Sequence, residues 1–303
     1  MRDTLRPYRA IRAALRQAYP GAPPGWCARH WTTLAALISG IVARKSPQWP
    51  QVAAKVPTGI TPESRVNRLA RWRDNEHILE EVSCLPSAEL FLAHLAVEPL
   101  VLVRDGSVVG CGGVALMSHV LSHGRALPLA WRVRQGPKGH CPEALHIALV
   151  NLIRACLPEG TPVVWLGDGE FEGTMRQPTL PEAGGHYACR TAQRTVATWE
   201  GAPCRLDTLG AGRTPGPLIE LKEVKSTREA YGPVMGLSGW AKGSHEPLYV
   251  VSNMDAAEEA CRYYQKRFCI ETLFSDQQSR GFPMHKSHRS DPQRLSRFLI
   301  AAC

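Results

Sequence analysis

PLVLVRDGSVV (99–109) opens the part of the sequence that decides the fold. Two runs of similar composition follow it, GGVALMSHVL (112–121) and GRALPLAWRV (124–133), and short glycine or serine turns separate the three. This pattern predicts three consecutive antiparallel strands. An amphipathic helix is predicted next, at PEALHIALVNLIRACL (142–157). A short apolar strand follows in TPVVWLGDGEF (161–171), as is typical of a central parallel strand that is covered on both faces.

The predicted order of three strands, a helix and a fourth strand is that of the α/β ribonuclease H-like fold, in which the first and fourth strands are neighbours. Asp105 lies in the first strand and Asp168 ends the fourth, so we expect their carboxylates to converge. Two adjacent carboxylates repel each other unless a proton or a cation lies between them, and Mg²⁺ prefers oxygen ligands. Each aspartate precedes a glycine, so either one considered alone is also typical of a turn. Considered as a pair on neighbouring strands, they favour a metal site.

A third acidic residue, Glu271, lies in the stretch YYQKRFCIETLFSDQQSRGF (263–282), which has helical periodicity. On a helical wheel Tyr264, Arg267, Glu271 and Gln278 fall within an arc of about 60°, bordered by apolar side chains. The pattern therefore predicts that Glu271 lies at the edge of the buried face of this helix. Its carboxylate either pairs with Arg267 one turn earlier, as i,i+4 ions commonly do, or serves a ligand that enters from outside.

Several of these runs resemble, in the right order, the core of DDE transposases from bacterial insertion sequences, in the insertion sequence four family. They are LVRDGSVVG, ALPLAW, VVWLGDGEFEGT, YACRTA and the helix segment, which together cover about residues 65 to 298. Members of this family carry a helix motif Y-x2-R-x3-E-x6-K. Tyr264, Arg267 and Glu271 match that motif, and Gln278 stands where the motif has lysine.

The resemblance implies that Asp105, Asp168 and Glu271 form a catalytic triad that binds two Mg²⁺ ions, for which Mn²⁺ substitutes. Such a site activates a water or a 3′-hydroxyl for in-line attack on a phosphodiester and stabilises the departing oxygen. The chain would then be a transposase that cleaves transposon ends and transfers strands. Its partner would be double-stranded DNA, and paired ends would be held by a homodimer.

The helix motif also supplies candidate DNA contacts. Tyr264 would stack on a base or bond a phosphate, although it is equally typical of a residue at the rim of the core. Arg267 would orient the glutamate and contact phosphate. Since Gln278 lacks the charge of the motif lysine, Arg280 or Lys286 would have to supply it.

The first 98 residues are predicted to form a helical DNA-binding region. One helix, around residues 7 to 19, has an arginine face and an apolar face, and another begins after Thr61, a plausible N-cap. Solvated surface and DNA contact are both open interpretations of these basic faces. The candidate contacts are Arg9, Arg12, Arg16, Arg68 and Arg71.

The rest of the chain divides into three predicted parts. The first part of the catalytic core spans 99–191, a β-rich insertion subdomain spans 192–246, and the second part of the core, with the glutamate helix, spans 247–303. The sequence ends within an apolar helical run, RLSRFLIAAC (294–303), where family members continue. We therefore expect a copy that is shortened at its C-terminus.

Composition is that of a globular protein, and its basic ends favour a polyanionic partner, although many cytosolic proteins are mildly basic without binding nucleic acid. The formal charge is +9, with 13 basic and 8 acidic side chains in residues 1–98 and 8 and 3 in residues 261–303. Ten cysteines contain no C-x-x-C pair, which excludes a zinc ribbon or thioredoxin-type motif and favours reduced thiols. The sequence lacks a signal-peptide pattern and a membrane-length apolar run. We expect a bacterial cytoplasmic protein, associated with the nucleoid and not with a membrane.

Two other functions stay open from the sequence. One is a catalytically inactive relic that binds transposon ends as an inhibitor, and the other is a metal-dependent nuclease on the same fold. The presence of all three acids favours the enzyme over the relic.

Overall fold

The computed structural model describes most of the chain, namely residues 2–19, 26–46, 48–57, 59–139, 141–169, 185–192, 195–209, 218–226, 231–240, 247–280, 284 and 287–303. In these ranges the helices are α1 (Arg2–Ala18), α2 (Trp26–Arg44), α3 (Trp49–Lys55), α4 (Pro62–Asp74), α5 (Glu80–Leu95), α6 (Glu143–Ala155), α7 (Leu206–Leu209), α8 (Ala257–Lys266), α9 (Cys269–Ser275) and α10 (Pro292–Ala302). A single π-helical turn, Asp276–Arg280, follows α9.

The strands form one mixed sheet. They are β1 (Leu100–Val109), β2 (Gly113–Ser122), β3 (Arg125–Gln135), β4 (Val163–Gly167), β5 (His186–Arg190), β6 (Val196–Trp199), β7 (Ala202–Arg205), β8 (Ile219–Ser226), β9 (Tyr231–Gly239) and β10 (Leu248–Ser252). Their order across the sheet is β3-β2-β1-β4-β5-β10-β9-β8-β6-β7. Strands β1, β2 and β3 are antiparallel neighbours, and β4 lies parallel to β1 after the crossover helix α6. The predicted order of three antiparallel strands, a helix and a parallel fourth strand is confirmed.

The alternation of side chains along β1 decides which face Asp105 occupies. Val101 and Val103 belong to the core on one face of the sheet, which also contains buried residues of α8, α9 and α10. Leu100 and Leu102 belong to the core on the other face, with buried residues of α6. Because successive strand residues point to opposite faces, Asp105 shares the face of α8 and α9.

The N-terminal third is helical, as predicted. The Oγ1 of Thr61 accepts a hydrogen bond from the backbone N–H of Ser64 at 3.3 Å, which confirms the predicted N-cap of α4. On α1, Tyr8 and Leu15 pack against the core that lies under α8 to α10. This contact agrees with the apolar face predicted for α1.

The segment predicted as a β-rich insertion contains strands β6 to β9. These strands continue the same sheet, because β9 pairs with β10 and β8 pairs with β9. The division of the chain into subdomains stays a prediction. None of the described helices combines the length and apolarity needed to cross a lipid bilayer. Within the same part of the chain, nine cysteines are free thiols.

The prediction of one continuous helix from 263 to 282 is wrong. α8 ends at Lys266 and α9 begins at Cys269, with hydrogen bonds between residues three apart at the junction, such as Arg267 N to Tyr264 O at 3.0 Å. A turn of this tighter kind has about three residues instead of 3.6, so it changes the direction in which later side chains point. Glu271 is accordingly exposed, not on the buried edge that an uninterrupted helical wheel predicts.

Candidate active site

Two aspartates come together on neighbouring parallel strands, because Asp105 lies in the middle of β1 and Asp168 directly follows β4. Val103 of β1 is paired with Leu166 of β4. Extending this register by two residues places Asp105 opposite Asp168, which directly follows β4. Each carboxylate accepts a hydrogen bond at 2.7 Å from the backbone N–H of the glycine that follows it. Each aspartate therefore uses Oδ1 in a turn, and this use is compatible with the approach of the two carboxylates to each other.

Asp105 is nearly buried, with 6% of its surface exposed. Its Oδ2 lies 3.2 Å from Nη1 of Arg267, and its Oδ1 lies 3.6 Å from Nζ of Lys138. Burial raises the pKa of Asp105 and the neighbouring Asp168 raises it further, whereas Lys138 and Arg267 act in the opposite direction. The site thus concentrates negative charge and offsets it with two cations of its own chain.

Arg104, the residue before Asp105, takes no part in this ion pairing. Its side chain lies on the opposite face of the sheet, where the guanidinium is 5.3 Å from the centre of the Trp165 ring. Its Nη1 donates a hydrogen bond to the carbonyl oxygen of His146 on α6. The cations beside Asp105 must therefore come from elements distant in sequence.

Lys138 is a site residue that the sequence analysis missed. It follows β3, whose last residue, Gln135, pairs with Gly113 at the start of β2. The lysine stem passes over β1, 3.9 Å from the position of a Cβ atom on Gly106, and its Nζ lies 6.0 Å from the centre of the Phe274 ring. A lysine in a glycine-rich turn gives little signal by itself, because only the pairing of β3 with β2 brings this turn to Asp105.

Arg267 connects Asp105 to Glu271. While its Nη1 faces Asp105, its Nη2 lies 3.7 Å from Oε1 of Glu271, so the expected i,i+4 pair is confirmed. The Arg267 side chain is 7% exposed and that of Glu271 is 60% exposed. Burial lowers the pKa of Arg267, but Tyr264, Asp168 and Asp105 outweigh that effect and the pKa is raised. One buried guanidinium therefore joins an inner carboxylate to an outer one.

The positions of the three acids can be compared with the metal site that the sequence predicts. Among the described residues no three His, Cys, Asp or Glu side chains are grouped so that they could hold a metal ion. Asp105 and Asp168 nevertheless form an oxygen-only pair, and Mg²⁺ is usually bound by one or two carboxylates together with waters and substrate phosphates. The pair fits such an ion, whereas Glu271 is linked to it through the guanidinium of Arg267.

The motif residues Tyr264 and Gln278 both face protein. Tyr264 is 1% exposed, burial raises its pKa to about 12, and the Arg267 guanidinium lies 5.6 Å from the centre of its ring. The interpretation as a core residue is therefore favoured for Tyr264. Gln278 is half-buried, and its Nε2 donates a hydrogen bond to Oγ of Ser107 at 3.1 Å. The side chain of Arg280 and the whole of Lys286 lie outside the described residues.

The N-terminal candidates lie on two helices. Arg9 and Arg16 of α1 are exposed, and Arg12 is half-buried. On α4, Arg68 is half-buried with its Nε bonded to Oγ1 of Thr33 at 3.0 Å, and Arg71 is exposed. Their contact with DNA stays a prediction.

Comparisons with known proteins bear on the fold of the chain. No protein-family model matches the chain, and no curated protein sequence matches it. Its fold is similar to that in the cryo-EM structure of a piggyBac transposase synaptic complex with hairpin DNA, at a TM-score of 0.52 and 11% identity, over 99% of this chain and 73% of that one. A weaker superposition, at a TM-score of 0.31 and 15% identity, covers 68% of this chain and 100% of the catalytic domain of human endonuclease V. The first comparison places the chain among mixed α/β proteins with a transposase-like fold.

Proposed function

We propose that this chain is a DDE transposase of the insertion sequence four family with a ribonuclease H-like core. It would bind double-stranded transposon-end DNA, as a homodimer on paired ends, and use Mg²⁺ or Mn²⁺ to cleave phosphodiesters and transfer strands. The observation that carries the proposal is the parallel pairing of β1 with β4, which brings Asp105 in β1 close to Asp168 just after β4. The similar fold of a transposase held with hairpin DNA supports DNA as the substrate.

Asp105 and Asp168 are the residues that would hold the metal ion. When bound, Mg²⁺ supplies the Lewis acidity that phosphodiester cleavage needs. Backbone N–H groups of Gly106 and Gly169 hold one oxygen of each carboxylate in place. The second oxygen of Asp105 accepts a hydrogen bond from Nη1 of Arg267. A preorganised carboxylate pair of this kind needs little rearrangement during the reaction.

The two cations beside Asp105 have different parts in this proposal. Arg267 is buried, holds Glu271 beside the aspartates and offsets their repulsion. The side chain of Lys138 is 49% exposed, so its ammonium lies at the solvent side of Asp105, where it would attract a DNA phosphate. Glu271, which is exposed, would then face the same incoming strand.

The proposal predicts that Asp105→Asn and Asp168→Asn each abolish DNA cleavage but keep DNA binding. An amide has nearly the shape of a carboxylate but lacks the charge that a metal ion requires. The measurement pairs a cleavage assay in Mg²⁺ or Mn²⁺ with a gel shift, both on DNA that flanks the coding region and carries its inverted repeats. Asp255→Asn, at an exposed aspartate outside the site, is the matched control and should cleave as the wild type does.

One observation favours a second candidate, the DNA-binding relic. The Arg267 guanidinium lies between Asp105 and Glu271, where a catalytic metal would need the carboxylates to converge. A wild-type protein that binds the ends and cleaves nothing in either metal would support the relic and refute the transposase. Cleavage without any preference for the repeats would instead indicate a nuclease.

A further inference from the structure

Both oxygens of the Asp105 carboxylate contact donors or cations of the chain itself. Oδ1 accepts the backbone N–H of Gly106 at 2.7 Å and lies 3.6 Å from Nζ of Lys138. Oδ2 accepts a hydrogen bond from Nη1 of Arg267 at 3.2 Å. A divalent cation that binds Asp105 would approach the same oxygens, and positive charges at such short distances repel each other. Binding of the metal therefore depends on whether one of the two side-chain cations can leave.

Arg267 is the cation that the fold holds in place. Its side chain is 7% exposed, and its Nη2 lies 3.7 Å from Oε1 of Glu271. The centre of its guanidinium lies 5.6 Å from the centre of the Tyr264 ring and 5.5 Å from that of Phe268. Moving this guanidinium would break all of these contacts, so Arg267 should stay beside Asp105 when a metal ion binds.

Lys138 is the cation that can move. It lies in the turn after β3, where Pro137 and Gly139 are exposed as well, and its own side chain is 49% exposed. The lysine ammonium is a compact, strongly hydrated charge on a flexible stem. An exposed ion pair changes an equilibrium constant by at most about fivefold. The ammonium can therefore exchange Asp105 for water with little loss of stability.

Lys138 nevertheless has a strong electrostatic effect on Asp105. Burial raises the pKa of Asp105, and of the two cations that act against burial, Lys138 has a larger effect than Arg267. The cation that is free to move is thus also the one that contributes more to keeping Asp105 ionised. A divalent cation at Asp105 would take over the same electrostatic role.

We propose that Lys138 competes with the divalent cation for Asp105 and thereby lowers the affinity of the acid pair for metal. The inference rests on the proposed function for the presence of a metal ion at Asp105 and Asp168. When the metal binds, the ammonium leaves Oδ1 for the solvent, whereas the bond between Asp105 and Arg267 is kept. The released ammonium is then available to a phosphate of the substrate.

The test titrates Mn²⁺ into the full chain without DNA and measures the unbound ion by its electron paramagnetic resonance signal. Lys138→Met removes the charge and keeps the length of the stem. The Kd for Mn²⁺ should fall by about five- to tenfold, because both the ion pair and the repulsion between ammonium and metal are lost. Lys138→Arg keeps a cation, so its Kd should stay within about twofold of that of the wild type or rise.

Two further variants show where any gain in affinity arises. Lys222→Met is the matched control, because Lys222 is 73% exposed on β8 and its Nζ lies 3.7 Å from Oε1 of Glu220. This control should bind Mn²⁺ as the wild type does. The double variant that combines Lys138→Met with Asp105→Asn should lose the gain, because the competition takes place at Asp105. Melting curves verify that each variant is folded.

The proposal is overturned by equal Kd values in the wild type and Lys138→Met, by equal gains in Lys138→Met and Lys222→Met, or by a gain that persists in the double variant. Absence of Mn²⁺ binding in both the wild type and Lys138→Met also overturns it, because Lys138 would then not be what limits the metal. Cleavage that depends on Asp105, with an unchanged Kd in Lys138→Met, leaves the proposed function intact and removes this inference. Tighter Mn²⁺ binding by Lys138→Met with no cleavage by either protein supports the competition and refutes the transposase.

Discussion

Arg267, beside the aspartates, differs from the arginines that line a cleft between α2 and α4 in whether acidic side chains neutralise its charge. Arg267 is buried and lies between two carboxylates of its own chain, at 3.2 Å and 3.7 Å. Arg29 and Arg71 are exposed and line a cleft whose described lining contains no acid. Arginine thus neutralises carboxylates of its own chain in the first region, whereas in the second it is exposed and has no acid in the described lining.

This difference has energetic consequences. Removing one member of a buried ion pair leaves an uncompensated charge and commonly costs about 3–5 kcal/mol of stability. A surface substitution away from such features usually changes stability by no more than about 0.5 kcal/mol. Arg267 should therefore be needed for folding, whereas the cleft arginines should be needed mainly for binding.

The largest effect is expected for Arg267→Ala. It leaves Asp105 beside Asp168 without its buried cation, so the free energy of unfolding should fall by about 3–5 kcal/mol. Urea denaturation followed by circular dichroism measures this change. Arg71→Ala is the control from the cleft and should differ from the wild type by at most about 0.5 kcal/mol. If both variants lose equal stability, the contrast between the two regions does not hold.

A smaller effect is expected for His119, which is buried on β2 with its ring 5.8 Å from that of Phe274. Burial lowers the pKa of His119 to about 3, against an ordinary value of 6.5. Because the unfolded chain binds the proton more readily, the contribution of His119 to stability is lost as pH falls below 6.5. Between pH 7.5 and 5 the wild type should lose about 2 kcal/mol more than His119→Phe.

Urea denaturation at the two pH values tests this prediction. Phe274→Leu alters the same contact without removing a titrating group, so it should shift stability equally at both pH values. A pH dependence of His119→Phe equal to that of the wild type would mean that His119 does not have to be neutral in the fold. In that case the interior of this face would tolerate a charge that has no partner of opposite sign, contrary to the argument that Arg267 depends on its carboxylates.

The smallest effect is expected for Gln278→Lys, which introduces the lysine that the insertion sequence four motif has at this position. Gln278 is half-buried and bonded to Ser107, so a lysine there would place its longer stem along β1 and its charge toward the solvent. If the site engages DNA, the substitution should tighten binding and steepen the log-log salt slope by about one unit. Both quantities are measured by the fluorescence anisotropy of a labelled transposon-end duplex, titrated with protein at several salt concentrations. An unchanged slope would mean that position 278 faces protein only, as Tyr264 does.

Sequence reasoning succeeded where the evidence was local. Runs of β-forming residues between glycine or serine turns predicted β1 to β3, and the apolar run before Asp168 predicted β4. The order of these elements predicted that β4 lies beside β1. Thr61 was recognisable as an N-cap because capping depends on a residue and the N–H groups of the next turn. The i,i+4 pair of Arg267 and Glu271 was predictable for the same reason.

Reasoning from a helical wheel failed at the junction between α8 and α9. The wheel assumes a constant 3.6 residues per turn, and the tighter hydrogen bonds after Tyr264 break that assumption. Nothing in the amino acids at this point, neither proline nor glycine, announces the break. As a result the exposure of Glu271 was predicted incorrectly, although its pairing with Arg267 was predicted correctly.

The sequence by itself determined the strand order of the core, the positions of Asp105 within β1 and of Asp168 at the end of β4, and the excess of positive charge at both ends of the chain. These features depend on side-chain period, turn chemistry and composition, which act over a few residues. Only the tertiary structure decided that Lys138 and Arg267 neutralise Asp105, and that α2 and α4 enclose a cleft around Trp72. Each of these contacts joins residues far apart in sequence, so it exists only once the sheet and the helices have packed together.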